Sequence, residues 1–523
     1  MRILISILFF CFFYVVHGQQ LNASMHIQNA LYFQKEALKG DLDFHSGIRP
    51  YLINEIQKDS LNLIDYDSSF MKKEVRLTLG NFNSSKKVKF EFYPLFNISA
   101  GVEHHNHLGT KFVYDLGAGV GFRSNFGKKL SIELNYRYDL ASYTFAEDSV
   151  ASNFGVISGS KIDKFSGIHR SSHFIRGNLS YSPSKYFNFR LGYGRHFIGE
   201  GYRSMFLSDD GNPYPYLNIQ TKVWRIKYIN IFAWQRDFQG SNYASLKPRN
   251  KFSSTHYLSL NAFKGFNIGI FETVIWQDKD TLINRGFDIR YLNPIIFFRP
   301  VEYATGSADN VILGASISYR FLEKYQFYYQ WSIDEFLLKE IRANNGWWAN
   351  KFGMQGGFKA FEPFNWKGLY FQIEFNWVRP FTYAHINSMQ ANANQNLPLA
   401  HIKGANFHEI LMRVNKSWGR LNLYTFLLYN QYGADQDTAS YGGNILRSYE
   451  DRSFEYGNKT GQGLKNNLFL ARVSLNYLLF PESALTLELG YEFRYNQNEL
   501  RTDLSNYVFI SFKSNLWNRN RDY

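Results

Sequence analysis

The residue types with the most chemistry gather where regular patterning stops. Arg195-His196-Phe197-Ile198-Gly199-Glu200-Gly201-Tyr202-Arg203-Ser204 is followed by Asp209, Asp210, Tyr214 and Tyr216, and Asp334, Trp348, Arg379 and His401 stand in further segments of the same mixed character. Guanidinium groups donate in a planar fork that fits carboxylates and paired hydroxyls, while aromatic rings offer flat apolar faces on which a sugar can stack. Arg195, Glu200, Tyr202, Arg203, Asp209, Asp334, Trp348, Arg379 and His401 are therefore candidates for a polysaccharide-binding site, with an acidic sugar as the expected ligand. Polar side chains that only satisfy one another in a crowded interior would give the same composition. The glycines flanking Glu200 mark a bend or a close backbone approach.

Other chemistry finds little support. Glu103-His104-His105-Asn106-His107 has metal-ligand residue types, but it precedes Leu108-Gly109 and reads as a polar hairpin tip, so no metal or other cofactor is expected. His169-Arg170-Ser171-Ser172-His173 mixes nucleophile and base, yet adjacent strand positions point to opposite faces. Neither G-x-S-x-G nor H-E-x-x-H occurs, and the expectation is a protein that is not an enzyme.

The elements that must position these residues are strands. Leu130, Ile132, Leu134, Tyr136, Tyr138 and Leu140 alternate with Ser131, Glu133, Asn135, Arg137 and Asp139; Leu487, Leu489, Tyr491 and Phe493 alternate with Glu488, Gly490, Glu492 and Arg494. Phe371, Ile373, Phe375 and Trp377 repeat the pattern, as do Val473, Leu475 and Tyr477. Each such strand has one face in an apolar medium and one in a polar medium. A barrel in lipid carries its apolar residues outside, polar residues inside and aromatics at the interfaces, which fits 37 Tyr, 49 Phe and 10 Trp better than a water-soluble core does. Asn125-Phe126-Gly127-Lys128 and Ser182-Pro183-Ser184-Lys185 read as short turns, and 144–172, 240–252, 384–408 and 433–465 as outer loops or lumenal insertions. From Lys87 onward, at roughly 24 residues per strand with its connection, an antiparallel meander of about 18 strands is expected. Leu130, Leu134, Tyr138, Leu487 and Tyr491 should face lipid, and Glu133, Arg137, Glu488 and Glu492 the lumen.

A mean hydropathy of -0.34 excludes a helical membrane bundle, and 10 Trp, 37 Tyr and 49 Phe supply more apolar surface than a disordered chain carries. Residues 1–18 read as an export signal: Arg2, an apolar run from Ile3 to Val16, then Gly18. Cys11 lies within it, so the mature chain would hold no disulfide or thiol chemistry. Residues 19–80 read as a small, partly helical N-terminal segment, periplasmic or lumenal, from the spacing of Ile27, Ala30, Leu31, Phe33 and Leu38; residues 81–523 form the barrel. The net charge of +14 is spread singly along the strands and not in blocks. With export, that points to an anionic envelope and not to nucleic acid.

The series "LGYGRHFIGEGYRSMFLSDDGNPYPYL", "YLNPIIFFRPVEYATGSADNVILG", "DEFLL", "GWWANKFGMQGGFK", "EFNWVRPFTYAH" and "NLPLAHIKGANFHE" resembles the Wzi-like capsule-assembly barrels of Bacteroidetes over roughly residues 40–515. Within that group the likeness is closer to the RemB-type gliding-motility members. The resemblance implies an outer-membrane barrel of about 18 strands with N-terminal helices that binds surface or capsular polysaccharide, and partners among gliding or other envelope proteins. The Gly-Glu-Gly-Tyr-Arg-Ser stretch stands where Wzi proper has a Trp/Gly-rich segment. A channel for small solutes is the other function open to such a barrel. If the nine candidates bind glycan, replacing Arg203 or Arg379 by alanine should abolish retention and leave assembly intact.

Overall fold

The computed structural model describes residues 22–23, 25–26, 31, 33–35, 38, 44–52, 55, 80–85, 88–127, 129–239, 247–279, 285–294, 309–436, 439–480, 485–514 and 517–523. The expected export signal lies outside these residues, as do Ile27, Ala30, 240–246 and 295–308.

Eighteen strands close into an antiparallel barrel. They are β1 (Val88–His105), β2 (Gly109–Phe126), β3 (Leu130–Ser142), β4 (His169–Tyr181), β5 (Phe187–Gly194), β6 (Tyr214–Val223), β7 (Ile226–Gln239), β8 (Lys247–Phe263), β9 (Phe266–Gln277), β10 (Asn310–Phe321), β11 (Tyr325–Glu335), β12 (Lys351–Phe361), β13 (Leu369–Val378), β14 (Phe407–Trp418), β15 (Leu421–Ala434), β16 (Leu464–Phe480), β17 (Leu485–Gln497) and β18 (Thr502–Ser514). Each pairs with its successor, and β18 returns to β1 with Ser505 opposite His105 and Lys513 opposite Asn97. Short stretches at Gly80–Ser85 and Lys164–Ser166 add to the ends of β1 and β4. Ring closure pairs the backbone groups that an open sheet would expose at its edges, where hydrocarbon would not tolerate them.

The wall is apolar on the outside. Leu134 is 52% exposed and Tyr138 44%, while Arg137 and Asp139 between and beside them are buried. Leu487, Leu489 and Tyr491 point outward on β17, whereas Glu488 is buried. Glu133 receives hydrogen bonds from Asn135 at 3.0 Å and Asn178 at 3.4 Å, and Glu492 pairs with Arg472 on the lumen face. Leu130, at the end of β3, is only partly exposed. Ile98, Val102, Leu116, Ile175, Ile317, Phe375, Ile410 and Val508 continue the outward apolar surface around the barrel. A continuous belt of this kind is a lipid-facing wall. Leu134→Arg should cost about 2–4 kcal/mol if the site lies near mid-membrane; unfolding of the refolded variant in lipid measures it, and an unchanged stability would refute the lipid-facing assignment.

The two ends differ. Short turns from β2 to β3, β4 to β5, β6 to β7, β8 to β9, β10 to β11, β12 to β13 and β14 to β15 close one end, where Trp224, Phe364, Trp366 and Trp418 are exposed as interfacial aromatics. Segments 143–168, 195–213, 336–350, 379–406 and 439–463 form the long-loop end. The 144–172 stretch is not irregular: it contains helix α1 (Phe145–Phe154), opened by a capping box between Thr144 and Glu147 and closed by Gly155 at φ 71°. A second helix, α2 (Leu338–Ala343), ends on Asn344 in the left-handed region.

The lumen is filled, and partly with apolar side chains, which departs from a uniformly polar interior. Segment 195–213 folds inward and packs Ile198, Met205, Phe206 and Leu207 against Phe271, Ile312, Val378 and Phe407. Phe206 stacks on Phe271 at 4.6 Å. Gly314 makes room for it, since a Cβ there would lie 2.3 Å from the Phe206 ring. The described N-terminal residues enter the same space. Leu31, Phe33, Gln34, Lys35 and Leu38 are helical, Leu31 and Leu38 pack on Phe361 and Tyr370, and Ile48–Arg49 pairs with Phe197–Ile198. No helix among the described residues is long and apolar enough to cross a membrane.

Candidate functional site

Segment 195–213 carries the densest polar network because it lies among inward-facing strand residues. Gly199, at φ 151°, and Gly201 let the chain wrap tightly; a Cβ on Gly201 would stand 2.5 Å from Glu374 Oε2. Glu374, on β13, then accepts from the backbone N–H of Tyr202 at 2.8 Å, of Arg203 at 3.1 Å, and from the Tyr328 hydroxyl at 2.7 Å.

Arg203 is fully buried. Its guanidinium donates to Asp522 Oδ2 at 2.7 Å and lies 3.5 Å from Glu409 and 3.7 Å from Asp210. Glu409 also meets His401 Nε2 at 3.0 Å and accepts from Asn376 at 3.0 Å and Asn430 at 3.2 Å. Tyr202 donates to Asp522 at 3.2 Å, and its ring carries Arg413 5.0 Å above its centre. Arg195 donates to the carbonyls of Asp209, Gly211 (3.3 Å) and Asn518 (2.6 Å). Asp209 accepts from the Asn518 amide at 2.8 Å. Glu200 accepts from Ser46 at 2.5 Å and lies 4.0 Å from Lys359, which also donates to the Glu200 carbonyl.

Burial pushes the Asp210 carboxyl up to about 7, with Arg203 pulling the other way. From the ordinary carboxylate range near 4 up to about 7, the folded state holds a proton that the unfolded chain has released. Stability contributed at this position therefore falls as pH rises through that window. Burial lowers His401, which gives the opposite slope below its ordinary 6.5, so the informative comparison is between wild type and variant. Asp210→Asn should flatten the loss between about pH 5 and 7, read by urea unfolding of the refolded barrel; an unchanged slope would remove Asp210 as its source.

The remaining candidates sit toward the long-loop end. Asp334 accepts from the Tyr383 N–H at 2.8 Å and lies 3.4 Å from Lys351. Arg379 donates to the carbonyls of Asn350 at 2.7 Å and Trp347 at 3.2 Å, holding the turn that presents two adjacent tryptophans. Both indole N–H groups donate to Glu455 Oε1, Trp347 at 3.2 Å and Trp348 at 3.0 Å. Arg452 donates to Glu455 at 2.9 Å and lies 4.5 Å over the Trp348 ring, which also meets Tyr449 at 4.8 Å and Phe381 at 6.0 Å. Phe454 and Tyr456 beside them are each 53% exposed.

The nine candidates thus fall into four sets. Arg195, Tyr202, Arg203, Asp209 and His401 share one buried network, Glu200 and Asp334 have separate local partners, and Trp348 and Arg379 belong to a half-exposed cluster between loops. Sequence reading did not single out Glu374, Glu409, Asp522, Arg452, Glu455 or Tyr449. The alternation on β13 that turns Ile373 and Phe375 outward already puts Glu374 inside, but it cannot name partners 171 and 172 residues away in the chain.

The histidine segments bond within themselves and to neighbouring strands, His105 lying 3.7 Å from Asp503 and His107 meeting the Thr502 carbonyl at 2.9 Å. His105 accepts from the N–H groups of His107 (3.2 Å) and Leu108 (3.3 Å), and His104 bonds Thr110 at 2.8 Å. His169 and His173 face outward on β4, His173 meeting the Tyr136 hydroxyl at 3.0 Å, while Ser172 is buried. No group of three or more metal-ligating side chains occurs among the described residues.

Fold and interior together define a closed transmembrane β-barrel with an occupied lumen. No protein-family model matches the chain, and no curated protein does. Among solved structures it is similar to Wzi, an outer-membrane protein involved in group 1 capsule assembly in Escherichia coli and a carbohydrate-binding β-barrel, at 10% identity over 94% of this chain and 98% of that one, with a TM-score of 0.53. It also aligns with OccK8 (OprE) of Pseudomonas aeruginosa, at 10% identity over 80% and 97% of the two chains with a TM-score of 0.41. OccAB1 of Acinetobacter baumannii aligns at 10% identity over 81% and 96% of the two chains, with a TM-score of 0.42. The similarity to Wzi is one of fold.

Proposed function

We propose that the protein is a non-enzymatic bacterial outer-membrane barrel, exported through its N-terminal signal, that binds or organises an acidic surface polysaccharide. The carrying observation is the cluster at the long-loop end, where Trp347, Trp348 and Tyr449 stand with Arg452 and Glu455 between two loops and with Phe454 and Tyr456 exposed beside them. Rings of this kind stack on sugar faces, and the guanidinium and carboxylate supply the polar contacts that orient a ligand. The buried network of Arg203, Glu409 and Asp522 holds the lumen shut beneath this face. Wzi, with the same fold, is a carbohydrate-binding barrel. A role in capsule assembly or as a surface component of gliding machinery, alongside other envelope proteins, follows from the motif resemblance. Exposure of the refolded barrel to a glycan array that includes acidic surface polysaccharides tests the reading; binding to none of them would refute it.

A further inference from the structure

Residues 517–523 do not lie against the outer wall but fill one sector of the lumen. The N-terminal residues meet this segment at Met25 and reach other strands beyond it: His45 bonds Ser259 on β8 at 2.8 Å, and Leu31 and Leu38 pack on β12 and β13. The 517–523 segment lies against β2, β3, β4 and β17. The Trp517 ring sits 4.8 Å from Phe174, and the Asn518 amide donates to the Met25 carbonyl at 3.0 Å. Arg519 pairs with Asp115 at 3.2 Å and Asp139 at 3.1 Å. Arg521 pairs with Asp115 at 2.8 Å and with Glu147 of α1 at 3.3 Å. Asn520 donates to Asp210 at 2.6 Å, and Asp522 takes the Arg203 guanidinium at 2.7 Å. The Tyr523 hydroxyl accepts from the Ser158 N–H at 2.6 Å, and its carbonyl accepts from Arg494 at 2.5 Å.

These contacts are nearly all ionic or hydrogen-bonded, whereas the inward segment 195–213 is anchored by an apolar core. A short segment held mainly by ion pairs and hydrogen bonds can leave without taking the wall apart once water enters to solvate the charges it leaves behind, and the barrel's ladder bonds do not pass through it. We propose that 517–523 is a tethered plug, and that its release opens the lumen to small cations. The charge balance sets the selectivity. Withdrawal removes Arg519 and Arg521 together with Asp522, so Asp115 and Glu147 lose their arginines. Asp139 keeps Arg137 at 2.6 Å, and Arg203 keeps Glu409 and Asp210. Of the side-chain charges one positive leaves on balance. Arg195 keeps the Asp209 and Gly211 carbonyls. The exposed wall then carries two carboxylates without their arginines, Asp115 and Glu147, against one arginine, Arg494, without the Tyr523 carbonyl, a surplus that favours cations. Glycan binding plays no part in this step.

Planar-bilayer recording of the refolded full chain, of a variant lacking 517–523, and of Arg519→Gln/Arg521→Gln tests the plug, with heat-modifiable mobility confirming that each has assembled. The full chain should stay closed, and the shortened variant should conduct at about ten times the background of the full chain with a cation-selective reversal potential. Adding the free peptide WNRNRDY should close it again. An assembled shortened barrel that remains closed overturns the proposal, as does an opening that the peptide fails to reverse or that favours anions. If the shortened chain does not assemble, the double glutamine variant decides: brief cation-selective openings support the plug, and a closed, assembled barrel overturns it.

Discussion

Arg203→Ala is expected to block assembly rather than to spare it. The side chain is wholly enclosed, and three carboxylates, Asp522, Glu409 and Asp210, lie within 3.7 Å of its nitrogen atoms. Burying charge is tolerable only when the partners are present. Removing one member of a buried pair typically costs about 3–5 kcal/mol, because the charge left behind has neither water nor a counterion. That is a large share of the roughly 5–15 kcal/mol that holds an ordinary domain together. Composition alone pointed to the opposite result, intact assembly with lost ligand, because an arginine among aromatics and acids looks like a recognition group until its partners are seen. The fraction of refolded protein that shows the compact, heat-modifiable form measures the effect. Arg203→Met/Asp522→Asn should recover part of it, since the second change removes one of the stranded acids. A single alanine variant that assembles at wild-type yield and stability would show that the network does not hold the lumen.

Much of the wall was legible from period-two alternation, because lipid on one side and lumen on the other impose opposite demands on successive side chains. Leu134, Tyr138, Leu487 and Tyr491 face outward for that reason, and the expected strand number agrees with the closed barrel. The interior was harder to read. Phe206, Leu207 and Ile198 pack into the lumen from outside the wall strands, and nothing in a local pattern says whether an apolar run there meets lipid or other side chains. Helix α1 did leave a signal, Thr144 three residues before Glu147 with Gly155 ending the turn, which a search for alternation passes over. The polar stretch 518–522 carries no alternation, and its charges are met by Asp115, Glu147 and Arg203, which lie 404, 374 and 319 residues from their partners in the chain.

The candidate site shows the same division. Residue type marked Arg203 and Arg379 alike as ligand-binding candidates, but only geometry separates an arginine spent on buried carboxylates from one that donates to the carbonyls of a loop. Trp348 was legible as one of an adjacent pair; Arg452 and Glu455, which orient it, come from a distant loop, Glu455 being 107 residues later, and carry no local motif.

Trp347→Ala/Trp348→Ala should abolish polysaccharide retention while the barrel still assembles. Both rings are half-exposed between loops at the long-loop end and take no part in the lumenal network, so their loss leaves the ladder and the buried ion pairs untouched. Aromatic anchors at binding surfaces commonly contribute about 2 kcal/mol apiece, so the double variant should weaken binding by about a thousandfold. Arg379→Ala should act in the same direction with a smaller effect. Its guanidinium does not reach the open face but fixes the Asn350 and Trp347 carbonyls, and without it the turn carrying the indoles loses two hydrogen bonds. Glu455→Gln separates orientation from charge, since an amide oxygen still accepts from both indole N–H groups while the pairing with Arg452 is lost. Binding of labelled polysaccharide to the refolded variants, measured beside heat-modifiable mobility, reads both quantities at once. Assembled tryptophan variants that retain polysaccharide at wild-type affinity would exclude this cluster as the site and leave the exposed loop rim around Ile386 as the next surface to test.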